Sequence, residues 1–180
     1  MATPKETTGG QRGEPGSTVS SALWPGAATA GCARLSAAPA GVGAKGTGTC
    51  TVAATVGDAI GKTVGAGVTV NWTTSGGTIA ATSTTNASGV AVATLKSATA
   101  VGTATVTARG ASGDTGKTAT VAFVPDTATA RIASLTAAPA SISANGTSTS
   151  TLTATGVDAN GNTVGAGVTV NWTTSGGTIA

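Results

Sequence analysis

Histidine and tyrosine are absent from the 180 residues, phenylalanine occurs once (Phe123), and charged residues make up only 8%. Without histidine there is no Ser-His-Asp or Cys-His arrangement and no imidazole ligand for a metal. The six acidic residues are scattered and form no pair suited to two-carboxylate glycoside hydrolysis. General acid–base catalysis therefore has no candidate group. The catalytic, cofactor-binding and metal-binding sets are read as empty, no cofactor is required, and the chain is read as not an enzyme.

Charge of either sign is sparse as well. Lys5 and Arg12 are balanced by Glu6 and Glu14, and the net +3 comes from single, widely spaced cations further on. Aromatics are only 2%, so the cations have no stacking partners between them. A nucleic-acid surface needs clustered cations, often with aromatic platforms, so no nucleic-acid partner is expected. No run reaches the ~18 apolar residues of a membrane-spanning helix, so this segment is not expected to insert into a membrane. The opening MATPKETTGGQRGEPG has mixed charge and no apolar run behind it, unlike an export signal. Residues 1–28 are read as a disordered leader.

Glycine, alanine, threonine, serine and valine fill the remainder. Threonine and valine are β-branched and favour a pleated surface, while frequent glycine marks turns. The segments CTVAATV (50–56), VTVNW (68–72), VAVATL (90–95), TATVTA (103–108) and TATVAFV (118–124) alternate small apolar residues with polar ones. That period of two is the mark of half-buried strands. The turn signals VGAG, TSGG, NASG and ASGDTG separate them. No helical periodicity is sustained. The apolar faces nominate Val68, Val70, Trp72, Leu95, Val106, Val121 and Phe123 as the structural core.

An internal repeat sets the organisation. TVGAGVTVNWTTSGGTIA occupies 63–80 and recurs unchanged at 163–180. Over 31–80 against 131–180, 34 of 50 positions are identical. A period of 100 residues is too long for a solenoid turn and suits an immunoglobulin-like antiparallel β-sandwich. The expected organisation is one domain at 29–125, a short VPDTATA connector, and at 126–180 the N-terminal half of a second, truncated domain. That half lacks the counterpart of 81–125, and about 55 residues hold too little core to fold alone. Residues 126–180 are therefore expected either to belong to a longer protein or to be poorly ordered.

Several motifs have a chemical and a plain reading. ASGDTGKT (111–118) is a relaxed phosphate-loop pattern, but a strand follows it where a phosphate site needs a helix, so it reads as a hairpin turn. DANGN (158–162) starts like a calcium loop, yet Thr163 and Thr169 stand where glycine and glutamate are needed, so it reads as an Asp/Asn/Gly turn. Cys32 and Cys50 would lie several residues apart on neighbouring antiparallel strands, too far to bridge. Trp72 and Trp172 continue an apolar face and read as core rather than as ligand-stacking groups.

Taken in order, LTAAPASISANGTSTSTLTATGVDANGNTV (135–164), VTVNWTTSGGTIA (68–80), TTNASGVAVATLKS (84–97) and GTATVTA (102–108) resemble the group 1 bacterial Ig-like domain of the invasin and intimin adhesins. The resemblance implies a repeat of an extracellular bacterial surface adhesin, a stalk that spaces and presents a distal binding region for cell adhesion. It also implies neighbouring Ig-like repeats as partners, a host-cell or bacterial surface receptor, and outer-membrane anchoring through parts outside this segment. The alternative is a small carbohydrate- or virion-surface-binding Ig-like module. Loops of Gly, Ser, Thr and Ala offer that alternative little to bind with.

Overall fold

Alternating threonine and small apolar residues become eight strands between Gly31 and Val124 in the computed structural model, which describes residues 29–110 and 113–179. The leader read at 1–28 lies outside the described residues. The strands are β1 (Gly31–Ala38), β2 (Gly41–Gly43), β3 (Thr49–Gly57), β4 (Thr69–Thr74), β5 (Thr82–Thr84), β6 (Val90–Lys96), β7 (Gly102–Arg109) and β8 (Lys117–Val124). The second repeat contributes β9 (Arg131–Ala138) and β10 (Thr151–Val157). The fold is all-β and immunoglobulin-like. A three-stranded sheet, β1-β3-β6, faces a five-stranded sheet, β2-β8-β7-β4-β5.

One pairing departs from the antiparallel expectation. β2 runs parallel to β8, with Val42 opposite Phe123. Pro39, between β1 and β2, has no N–H to give to a ladder, and the chain there leaves the first sheet for the second.

The core lies between the two sheets. Val70, Leu95, Val106 and Val121 are fully buried, and Trp72 and Phe123 nearly so. Burial of side chains of this size contributes roughly 1.5–3 kcal/mol each. The indole Nε1 of Trp72 donates to Ser83 Oγ at 2.9 Å, so its one polar atom is satisfied. Val68 differs from the rest of the nominated set. It is only half-buried and sits just before β4. Its N–H donates to the Thr85 hydroxyl at 3.0 Å instead of to a strand ladder.

Cys32 pairs with Val56 on β3, while Cys50 pairs with Leu95 on β6. Both thiols are free and buried. The second repeat copies the local geometry of the first. The β1–β3 ladder skips Ala33, and the β9–β10 ladder skips Ala133, the equivalent position. The difference lies in what covers each half. Trp72 is 3% exposed and Trp172 is 38%; Val52 is 0% and its counterpart Leu152 is 38%.

Candidate functional site at the joint between repeats

The DANGN turn is built by its first residue. Asp158 Oδ1 accepts the main-chain N–H groups of Asn160 and Asn162, both at 2.9 Å. Gly161 supplies the left-handed residue that closes it, at φ +86°. The first repeat builds the same turn from DAIGK. Asp58 Oδ1 accepts from Ile60 at 3.0 Å and Lys62 at 2.9 Å, with Gly61 at φ +81°. Backbone geometry is thus shared, and the two repeats differ in the side chains at the third and fifth positions of the turn.

In the second repeat those side chains are amides, and both reach the first repeat. Asn160 Nδ2 donates to the carbonyl of Ala44 at 3.1 Å. Asn162 Nδ2 donates to the carbonyl of Thr99 at 2.8 Å. Its Oδ1 accepts the N–H of Val101 at 3.3 Å. The connector is held from the same turn. Asp126 N–H donates to Asp158 Oδ2 at 3.1 Å, and Ala159 N–H donates to Thr129 Oγ1 at 3.1 Å. Arg131 Nη1 donates to the carbonyl of Asp158 at 2.9 Å. Between these anchors the connector forms a short 3-10 turn, Thr127–Thr129. Lys45 Nζ adds an ion pair to Asp126 Oδ2 at 3.8 Å, which contributes little at so long a separation with the lysine half exposed.

Asp158 has no exposed surface. Burial acts to raise its carboxyl, but the Asn162 side chain and the main-chain N–H groups of Asn162, Asp126 and Asn160 outweigh it and hold it at about 2. The same donors answer the calcium-loop question raised by the sequence. Both carboxylate oxygens face N–H groups, at 2.8–3.1 Å, whose positive ends would repel a cation. The motif works as a turn and a clasp.

The other motifs fall into ordinary structural places. ASGDTGKT lies in the hairpin joining β7 to β8, with Ala111 and Ser112 outside the described residues. Asp114 accepts from Gly110 at 2.7 Å, Cys32 at 2.8 Å and Gly116 at 2.9 Å. Burial pulls its carboxyl upward, but these N–H groups and nearby Arg109 bring it below the usual range. The hairpin loop is thereby fastened to the start of β1. Among the described residues no helix is long and apolar enough to cross a membrane.

Docking of the turn onto the first repeat is the feature that sequence reasoning missed. One signal was present: between two otherwise near-identical turns, Ile60 and Lys62 are replaced by two asparagines.

Residues 33–124 match the family model of the bacterial Ig-like domain (group 1). Among solved structures, invasin, a bacterial integrin-binding protein, is similar at 30% identity and a TM-score of 0.55, over 78% of this chain and 28% of its own. The Escherichia coli adhesin FdeC is similar at 24% identity and a TM-score of 0.52, over 78% of this chain and 44% of its own. The D00-D0 domain of intimin shares 31% identity at a TM-score of 0.48, over 54% of this chain and 48% of its own. The chain thus spans about half or less of the structures it matches. No curated protein matches it.

Proposed function

Because the chain belongs to the bacterial Ig-like domain (group 1) family, we propose that it is a structural repeat of an extracellular bacterial surface adhesin, a stalk segment that spaces and presents a distal binding region. The single observation that carries this is the joint. A tether between independent domains would leave its connector free, whereas here connector and turn are pinned to the preceding unit by Asp158, Asn160 and Asn162. Pinning of this kind suits a part whose work is mechanical. It transmits orientation from one unit to the next and keeps a distal head away from the cell.

The units in this proposal are a domain at 29–125 and the N-terminal half of a second at 126–180. Their partners are neighbouring Ig-like repeats, with a surface receptor engaged elsewhere in the adhesin. Chemistry at the sandwich surface has no role in it.

The test is to display the chain between a bacterial surface anchor and a tagged binding head, then measure head height. Deleting residues 29–125 should lower the head by at least roughly 25 Å, the length of one eight-residue strand, and leave the head folded. Unchanged height would refute the spacer role. A saturable hit by residues 29–125 on a glycan array would favour the binding-module alternative instead.

A further inference from the structure

The dipeptide Asn-Gly occurs twice, at 145–146 and 160–161, both times in the second repeat. The first repeat has Lys45-Gly46 and Ile60-Gly61 at the matching places. Asn160 is therefore a clasp residue and also the first half of a reactive pair. The reactivity is steric in origin. Glycine has no Cβ to shield its main-chain nitrogen from the side-chain carbonyl carbon of the asparagine before it. Asn160 and Gly161 both stay exposed with the joint closed, so water and hydroxide reach them.

Hydrogen bonds at the joint restrain the pair. The nitrogen that would attack, that of Gly161, donates its N–H to the carbonyl of Asp158 at 3.1 Å. The nitrogen that would leave, Asn160 Nδ2, donates to the carbonyl of Ala44 at 3.1 Å. Asn160 N–H is held by Asp158 Oδ1 at 2.9 Å. Ring closure needs the amide to leave Ala44 and turn back onto Gly161, so the side chain cannot stay docked and react. A group held in this way reacts only through local opening.

We propose that Asn160 is a site of spontaneous covalent modification that releases the joint irreversibly. With the joint open, the Gly161 nitrogen gives its proton to solvent base and bonds to Asn160 Cγ. The Cγ–Nδ2 bond breaks, and the nitrogen takes up a proton and leaves as ammonia. Water then opens the cyclic imide at either carbonyl, giving an aspartyl or an isoaspartyl residue. The aspartyl product sets a carboxylate against the Ala44 carbonyl, on a turn that already holds the buried Asp158. The isoaspartyl product adds a carbon to the main chain between residues 160 and 162, so their N–H groups no longer converge on Asp158 Oδ1. Neither product docks again. Ile60 has no amide, so the first turn lacks the device. The modification follows from the turn itself, whether or not the chain spaces a binding head.

The test follows Asn160 by peptide mapping of the full chain held at pH 8, with each rate taken relative to the same chain in urea. Folded, Asn160 should convert at least about tenfold more slowly than in urea, because opening must break its hydrogen bonds. Asn162→Lys removes the contacts to Thr99 and Val101 and keeps the Asn160-Gly161 pair. It should bring the folded rate toward the urea rate. Asn145-Gly146, in the same digests, reports that the conditions support the reaction. Equal conversion of Asn160 with and without urea, or no gain in the Asn162→Lys chain, overturns the proposal. A second measurement reads the consequence. The Asn160→Asp chain and the purified isoaspartyl form should both give a broad distance distribution between spin labels on the two units, with the melting of the first repeat unchanged. A narrow distribution in either overturns the release. Neither readout involves a binding head, so failure here is separate from failure of the spacer role.

Discussion

Asp158 is wholly buried, yet its carboxyl is held at about 2, and that contrast fixes how the joint responds to acid. A carboxyl depressed in the folded state, against about 3.9 when unfolded, contributes stability that is complete above pH ~4. The contribution fades as pH falls toward 2, when the carboxylate takes up a proton and gives up its N–H donors. The joint should therefore stay closed at pH 4 and open as pH approaches 2, which the amide resonance of Asp126 would report. A resonance that moves instead near pH 6 would contradict the assignment. The cysteines make a second residue-scale test. Burial first, then the nearby Asp114 charge, pushes the Cys32 thiol up, and burial does the same to Cys50. Neither should react with iodoacetamide at pH 7.5 in the folded protein, and both should after denaturation. In the core, Leu95→Ala should cost about 2–5 kcal/mol in urea unfolding of the first repeat.

At the scale of elements, the repeat supplies its own control. Gly77 and Gly177 lie in identical sequence and share a left-handed conformation, at φ +71° and +74°. A Cβ on Gly77 would run into the carbonyl oxygen of Lys96 at the end of β6, while one on Gly177 meets nothing within 4 Å. Alanine at either position carries the left-handed penalty of about 1–2 kcal/mol. Only Gly77→Ala adds the collision, so it should lower the melting temperature of the first repeat and Gly177→Ala should not. The long strands of the first repeat were legible because alternation makes one face apolar: Ala91, Ala93 and Leu95 on β6, and Ala104, Val106 and Ala108 on β7, are all buried. β2 was not, since three residues between Pro39 and a turn cannot display a period. Val68 was placed in the strand core by that same alternation, which cannot register that its N–H is drawn to Thr85. The clasp escaped for a different reason. An Asp-x-Asn-Gly-Asn turn satisfies its own backbone in the same way whether it faces water or another unit, and its partners at Ala44 and Thr99 are carbonyls that any residue would supply.

For the whole molecule, the two turns at 58–62 and 158–162 make the joint testable by exchange. Replacing Asn160 and Asn162 by the residues of the first turn, Asn160→Ile with Asn162→Lys, removes the amide contacts to Ala44, Thr99 and Val101 and the Asn162 side-chain bond to Asp158 Oδ2, while the main-chain hydrogen bonds to Asp158 Oδ1 that shape the turn are kept, as they are at Asp58. Each lost bond is worth roughly 0.5–1.5 kcal/mol. Distances between spin labels on the two units should pass from a narrow to a broad distribution, with the melting of the first repeat unchanged. An unaltered distribution would place the rigidity elsewhere. The two sides of this joint are chemically unequal. The incoming unit presents side chains, whereas the first unit answers its asparagines with main-chain groups alone, the carbonyls of Ala44 and Thr99 and the N–H of Val101. Selection on the seam therefore acts on one lip of it. The receiving loops can drift in sequence, or be shuffled in from another gene by recombination, so long as their backbone path is kept, and an array of such modules can lengthen by duplication without both faces of every seam having to co-evolve.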